Sequence, residues 1–297
     1  MLKLTAIGMA AALAVSVLGA AELPTIYLAG DSTVCDYKPE QAPMTGWGQA
    51  LRDFCKPGIT VRNLAVGGRS TKSFQDEGRW KKLLAQLKPG DFVLIQFGHN
   101  DQKKDRPALY AEAGTDYRAN LEKFVQEVRA EQATPVLCTP VNRRSFPNGV
   151  FRRSLAEYPE VVREVGRKTG TAVLDLNAAT EKLFLAEGVE GTVKYFTIVA
   201  PGEYPGYPKG AKDNTHFSYL GAVTVAREAA EKGRAVAMQD PSVKAVWPAI
   251  CEEAEASLQR TPDLLPVLKK AGVVDAGGQG FCIVIRAMQH VMEGGAI

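Results

Sequence analysis

The chain has 297 residues, 45% of them hydrophobic and 23% charged, with a formal net charge of +3. That balance belongs to a globular protein able to bury a sizeable core, and so small a net charge gives no reason to expect nucleic-acid binding, which usually needs a concentrated basic face. The one basic cluster, Arg143, Arg144, Arg152 and Arg153, reads equally as a solvated loop edge or as a contact for an acidic polymer.

The first segment has the layout of a secretory signal. Lys3 is followed by an apolar run over residues 4–18 and then by Gly19, Ala20 and Ala21. A charged start, an apolar stretch of about 7–15 residues and small residues at the cut define such a signal, whereas a membrane span needs about 20 apolar residues. Cleavage after Ala20 or Ala21 is expected, which makes the mature protein secreted or periplasmic, with no stable membrane insertion. No cysteine follows the cut, so a lipid anchor is unsupported.

Residues 25–29 (TIYLA) predict a buried strand ending at Gly30, Asp31 and Ser32. A helix is expected over 47–54, a second strand over 61–66 ending at Gly67 and Gly68, and a helix over 78–87 stopped by Lys88, Pro89 and Gly90. The strongest strand is 92–97 (FVLIQF), ending at Gly98, His99, Asn100 and Asp101. Residues 116–131 place Tyr117, Leu121, Phe124, Val125 and Val128 on one helical face. A strand over 135–139, a helix over 161–168, a strand over 172–176 and a helix over 178–186 follow. Residues 200–215, rich in Gly, Pro and Tyr, predict a loop, and 217–232 the last helix of this domain. Alternating strands and helices imply a parallel sheet with helices on both faces, ending near residue 235.

Five cysteines (Cys35, Cys55, Cys138, Cys251 and Cys282) are an odd number for an oxidising compartment, so at least one is free or paired between chains. None has zinc-ligand spacing, and no metal or cofactor is expected. Cys138 sits in an apolar run and reads as a small buried hydrophobe.

Open α/β sheets bind ligands beyond the carboxyl ends of their strands. Three polar, glycine-bearing turns stand there and bring Ser32, Gly68 and Asn100 to one rim. A serine hydrolase needs a nucleophile, a base in hydrogen-bond reach and a group that fixes the tautomer of the base. Of the three histidines, His290 lies in the tail and His99 on the third-strand turn. His216 follows the long polar loop with Asp213 three residues before it, which makes His216 the best base and Asp213 its orienter. The backbone N–H of Ser32, the backbone N–H of Gly68 and the amide of Asn100 are donors for a developing oxyanion. His99 is a candidate substrate contact, although a brace for the Asn100 turn is the better reading of it, and Asp31 likewise reads as a brace for the nucleophile turn. Tyr204 and Tyr207 are candidates for stacking on a sugar. Trp47 and Trp80 read more readily as core than as sugar platforms.

Four blocks carry a family resemblance: Gly30 to Thr33, Asn63 to Ser70, Phe97 to Asp101, and Asp213 to Phe217. In that order they resemble the signature blocks of the SGNH or GDSL hydrolases, closest to the rhamnogalacturonan acetylesterase branch. The likeness spans about residues 24–235 and includes Trp47 between Gly46 and Gly48. It implies a flavodoxin-like three-layer α/β/α sandwich without a metal requirement. It also implies a Ser32, Asp213 and His216 triad, an oxyanion hole that includes Gly68 and Asn100, and an acetylated pectic polysaccharide or oligosaccharide as substrate. A lipase, lysophospholipase or thioesterase, and a carbohydrate-binding pseudoenzyme, are the rival readings.

Residues 236–297 do not fit an esterase. The stretch from Thr261 to Gly280 resembles the end of the helical domain of dihydroxyacetone and fatty acid kinases, but the aspartate-rich metal and nucleotide blocks of those kinases are missing upstream. A short helical, catalytically silent appendage is expected. Natural polymer, oligomeric state and disulfide pairing stay open.

Overall fold

The computed structural model describes residues 23–237 and scattered residues between 251 and 286, most of the latter helical. The expected signal at 1–21 lies outside the described residues, and so does most of the tail.

Five parallel strands form the centre: β1 (Thr25–Gly30), β2 (Thr60–Asn63), β3 (Phe92–Gln96), β4 (Thr134–Cys138) and β5 (Ala172–Leu174). Their order is β2-β1-β3-β4-β5. Successive side chains point to opposite faces, as a pleated strand requires. Tyr27 and Ala29 face one layer and Leu28 the other; Val93 and Ile95 oppose Phe92 and Leu94 in the same way.

The first layer holds α2 (Thr71–Asp76), α3 (Arg79–Leu84), α4 (Arg118–Ala130) and α5 (Tyr158–Thr169), whose Phe74, Trp80, Phe124 and Val162 are buried on the sheet. The second holds α1 (Trp47–Ala50), α6 (Leu176–Gly191) and α7 (Tyr219–Ala237), which bury Trp47, Phe184, Val225 and Ala226. This is the expected three-layer sandwich. Trp47 and Trp80 are both core: Trp47 Nε1 donates to Gln96 Oε1 at 3.0 Å, and Trp80 stacks on Phe124 at 4.0 Å.

Some predicted elements differ. The second strand stops at Asn63 rather than Val66, although Leu64 N and Val66 N still donate to Leu28 O and Gly30 O of β1 at 2.9 and 3.0 Å; the Asn63 side chain braces this exit. Its Oδ1 accepts from Ala65 N at 3.2 Å, and its Nδ2 donates to Val34 O at 2.8 Å and to Asp36 Oδ1 at 2.7 Å. Residues 200–215 are not all loop. Strand β6 (Phe196–Val199) pairs antiparallel with β7 (Ala211–Phe217), and the turn between them carries the Gly, Pro and Tyr residues. The sequence of β7, AKDNTHF, lacks the apolar run that marks the sheet strands. Helix α6 begins earlier than expected because the Asp175 side chain caps it, accepting from Ala178 N at 3.1 Å.

Candidate active site

The rim is built where β1, β2 and β3 end side by side. At the end of β1, Gly30 lies so close to its neighbours that a Cβ there would sit 2.7 Å from Val34 Cγ2 and 2.9 Å from Gln96 O. The next turn is closed by Asp31, whose Oδ1 accepts from Thr33 N at 2.9 Å and Thr33 Oγ1 at 2.8 Å. Thr33 Oγ1 in turn accepts from Gln96 Nε2 at 2.7 Å, so the turn is anchored to β3. Ser32 stands at its apex, part exposed.

After β2 the chain passes Gly67, where a Cβ would lie 3.6 Å from Ser32 Cβ, and reaches Gly68 with φ +79°. That φ favours glycine, and the space beside it is open. Among the described residues, the backbone N–H groups of Ser32 and Gly68 have no hydrogen-bond partner within the protein. Arg69 secures this turn through Gly67 O at 2.9 Å and Glu77 at 3.1 Å. At the end of β3, the amide of Asn100 is fixed from both sides. Lys103 Nζ donates to its Oδ1 at 2.6 Å, and its Nδ2 donates to Arg69 O at 2.9 Å. One N–H of that amide remains available.

Strand β7 delivers the remaining groups. Asp213 Oδ1 accepts from the backbone N–H of Thr215 at 2.8 Å and of His216 at 3.0 Å, and Oδ2 lies 2.6 Å from His216 Nδ1. His216 Nε2 lies 2.9 Å from Ser32 Oγ. Burial opposes ionisation of Asp213, but the hydrogen bonds and charge of His216 and the Thr215 N–H outweigh it and hold the carboxyl below the usual range. The strand is pinned at both ends of this segment: Arg144 bonds to Asn214 O at 2.9 Å and Asn214 Oδ1 at 3.0 Å, and Thr45 N reaches Phe217 O at 3.0 Å.

Ser32, Gly68, Asn100, Asp213 and His216 therefore meet in one place. His99 does not join them as a substrate contact. It is 2% exposed, and its ring nitrogens face Asp31 Oδ2 at 3.2 Å and Val141 O at 3.0 Å, which leaves no ring nitrogen for a ligand. Tyr204 and Tyr207 lie in the β6–β7 turn. The Tyr207 hydroxyl tethers that turn by donating to Gln41 O at 3.1 Å, and its pKa is raised by burial and by the Asp213 charge.

Tyr37 is the residue that sequence reasoning missed. Its hydroxyl donates to Ser32 O at 2.7 Å, and its ring meets His216 edge-on at 6.4 Å. A tyrosine five residues past the nucleophile, outside every motif, gave no signal. Cys35 sits behind the same turn, 3.8 Å from Ser32 O, and burial pushes its thiol up to about 11. No group of three or more His, Cys, Asp or Glu residues suited to a metal occurs among the described residues.

A hydroxyl, an imidazole and a carboxylate in line, beside free N–H donors at the carboxyl edge of a parallel sheet, define a hydrolase of the acyl-transfer class. The chain belongs to the GDSL-like lipase/acylhydrolase family, whose model matches residues 28–223, and is a carboxylic ester hydrolase. It is 42% identical over 207 residues to rhamnogalacturonan acetylesterase RhgT of Bacillus subtilis (strain 168), covering 69% of this chain and 88% of that protein. The crystal structure of protein YxiM from Bacillus subtilis superposes with a TM-score of 0.60 at 28% identity, over 71% of this chain and 56% of that one. The C-terminal part is different in kind. Residues 222–290 match the DAK2 domain, and 72 residues are 47% identical to protein YloV of Bacillus subtilis (strain 168), covering 24% of this chain and 13% of that protein. The two matched regions meet inside α7, whose Ala222, Val225, Ala226 and Ala229 are buried in the hydrolase core.

Proposed function

We propose that the protein removes acetyl groups from an acetylated plant cell-wall polysaccharide of the pectin or rhamnogalacturonan type, through an acyl-enzyme on Ser32. The observation that carries this reading is the continuous chain from Asp213 Oδ2 through the His216 ring to Ser32 Oγ, at 2.6 and 2.9 Å. His216 Nε2 takes the Ser32 proton as Oγ attacks the ester carbonyl, and Asp213 holds the imidazole in the tautomer that leaves Nε2 free to accept. The oxyanion accepts from Ser32 N–H, Gly68 N–H and the free N–H of Asn100. Protonated His216 then gives its proton to the departing sugar oxygen. Water, activated by the same imidazole, releases acetate and restores Ser32.

Similarity to a rhamnogalacturonan acetylesterase over 88% of that protein supports the acyl group and the polymer class. The apolar run and small residues of the first 21 positions support export to a compartment where such polymers are met. The tail beyond α7 is catalytically silent in this reading, so deletion of residues 240–297 leaves turnover intact.

Acetate release across acetylated rhamnogalacturonan, homogalacturonan and xylan, together with an acyl-length series of aryl esters, tests the proposal. Preference for the acetylated pectic polymer and a steep loss beyond short acyl chains are expected. Preference for long acyl chains would move the enzyme to the lipase reading.

A further inference from the structure

The four arginines of the basic cluster have separate fates. Arg153 pairs with Glu181 at 2.8 Å, and Arg144 is committed to Asn214, Thr192 and Val189. Arg152 is exposed, with no side-chain partner among the described residues. Arg143 turns to the oxyanion side of the rim. Its Nη2 donates to the carbonyl of His99, the neighbour of Asn100, at 3.2 Å, and its Nη1 to Ser154 O at 3.5 Å. The Gln102 amide faces the same guanidinium. These acceptors are all neutral, so the half-buried Arg143 charge has no carboxylate bound to it.

Two further cations stand on the Asn100 turn. Lys103 Nζ donates to Asn100 Oδ1 at 2.6 Å. The chain then winds tightly, with Lys103 N on Asn100 O at 3.1 Å and Arg106 N on Lys103 O at 2.9 Å, which keeps Arg106 beside Lys103. The exposed Arg106 side chain has no hydrogen-bond or ion-pair partner among the described residues. Burial lowers the Lys103 pKa, and the charges of Arg106 and Arg143 add to the fall, so the three cations feel one another. Asp31 and Asp105 are the carboxylates that act against them. Among the described residues neither forms an ion pair with any of the three, and Asp31 is already held by Thr33 and faces His99. The rim beside Asn100 therefore has positive charge in excess, and a surface lined by one sign of charge draws in ligands of the other.

We propose, on the pectic reading above, that Arg106, backed by the charge of Arg143, forms a subsite on the Asn100 side of the rim for a sugar carboxylate, that of a uronate unit beside the acetylated sugar. Lys103 stays on Asn100. The guanidinium of Arg106 keeps its fork of N–H donors uncommitted, and that fork matches the two oxygens of a carboxylate. Arg143 makes its contacts to the protein and contributes its charge. A methyl ester keeps the outline of the uronate unit and loses the charge, so the subsite makes the enzyme prefer ionised uronate chains to esterified ones.

Binding to the full-length Ser32→Ala chain, where turnover plays no part, tests this by calorimetry with an acetylated oligogalacturonide and its fully methyl-esterified form. At low salt the ionised form should bind at least about tenfold more tightly, since hydrogen bonds to a charged group are the strong ones. The preference should shrink in about 0.5 M NaCl, where exposed charges are screened. Adding Arg106→Gln should cut it to within about twofold, and Arg143→Gln should reduce it by at least about threefold. Arg106 is exposed, so its variant keeps the test open should Arg143→Gln not fold. Arg152→Gln, which removes an equal charge from the exposed part of the cluster, should leave the preference in place. Equal binding of the two forms, or the same loss in Arg152→Gln as in Arg106→Gln, would overturn the subsite. For the wild-type enzyme, kcat/KM for acetate release should follow the same preference. Release from both forms at equal kcat/KM removes the subsite alone. Release from neither, with an aryl acetate still turned over, removes the pectic reading and the subsite with it.

Discussion

His216 Nε2 stands 2.9 Å from Ser32 Oγ although 184 residues of chain separate them. Neither residue is close to the other through any local turn. They meet because β7 crosses the carboxyl edge of the sheet and is held there by Arg144 on one side and Thr45 on the other. The hydrolytic chemistry proposed for this protein follows from that crossing.

Replacing Asp213 by asparagine should leave the fold intact and lower kcat by about 10³–10⁴-fold. An amide nitrogen facing Nδ1 would favour the opposite tautomer, with its N–H directed at Ser32. Steady-state kinetics on an aryl acetate, with a thermal melt to check folding, reads this out. A loss below about tenfold would remove Asp213 from the mechanism.

Asn100→Ala should lower kcat by about 100–1000-fold with little change in KM, because its free N–H is needed only when the oxyanion develops. Lys103→Met should produce a smaller loss of about tenfold, since Lys103 acts only by holding Asn100 Oδ1 at 2.6 Å. If Lys103→Met proved the more damaging of the two, Lys103 would be in contact with substrate rather than with Asn100.

Tyr37→Phe keeps the ring beside His216 and deletes only the hydroxyl that donates to Ser32 O. One net hydrogen bond is worth about 0.5–1.5 kcal/mol, so kcat/KM should fall by up to about tenfold. An unchanged value would make Tyr37 a packing residue alone.

Asp175→Ala should destabilise the domain by about 0.5–2 kcal/mol at neutral pH through loss of the α6 cap. Burial opposes ionisation of Asp175, but the bonds from Arg163 at 3.0 Å, from Ala178 N and from Thr139 outweigh it and lower its pKa. A lowered native-state pKa stabilises the fold above the unfolded value of about 4, and this contribution is lost as pH falls through the native value. Urea unfolding of wild type and variant should therefore differ at pH 7 and converge below about pH 4. A gap that stayed constant with pH would contradict the ion-pair account.

The sheet strands and the long helix α4 were legible because burial on both faces writes near-continuous apolar runs, as in FVLIQ of β3, and burial on one face writes the spacing of Leu121, Phe124, Val125 and Val128. The rim was legible because Gly30, Gly68 and Asn100 mark strand ends whose order follows from the alternation of elements. The β6–β7 hairpin was hidden for the opposite reason. Asp213, Asn214 and His216 occupy strand positions without contributing apolar residues to the pattern, so a functional strand read as a loop. His99 drew attention as a polar residue at a strand end, yet its burial against Asp31 and Val141 depends on contacts 68 and 42 residues away. Tyr37 depends on the same kind of distant geometry, through the ring of His216.

The central claim is that Ser32 forms the acyl-enzyme. Labelling the full-length chain with a fluorophosphonate and mapping the modified peptide, alongside acetate release by Ser32→Ala, tests it most directly. The label should attach at Ser32 alone, and Ser32→Ala should lose both labelling and at least about 10³-fold in kcat. Acetate release by Ser32→Ala at the wild-type rate, or a label found on another residue, would contradict the account.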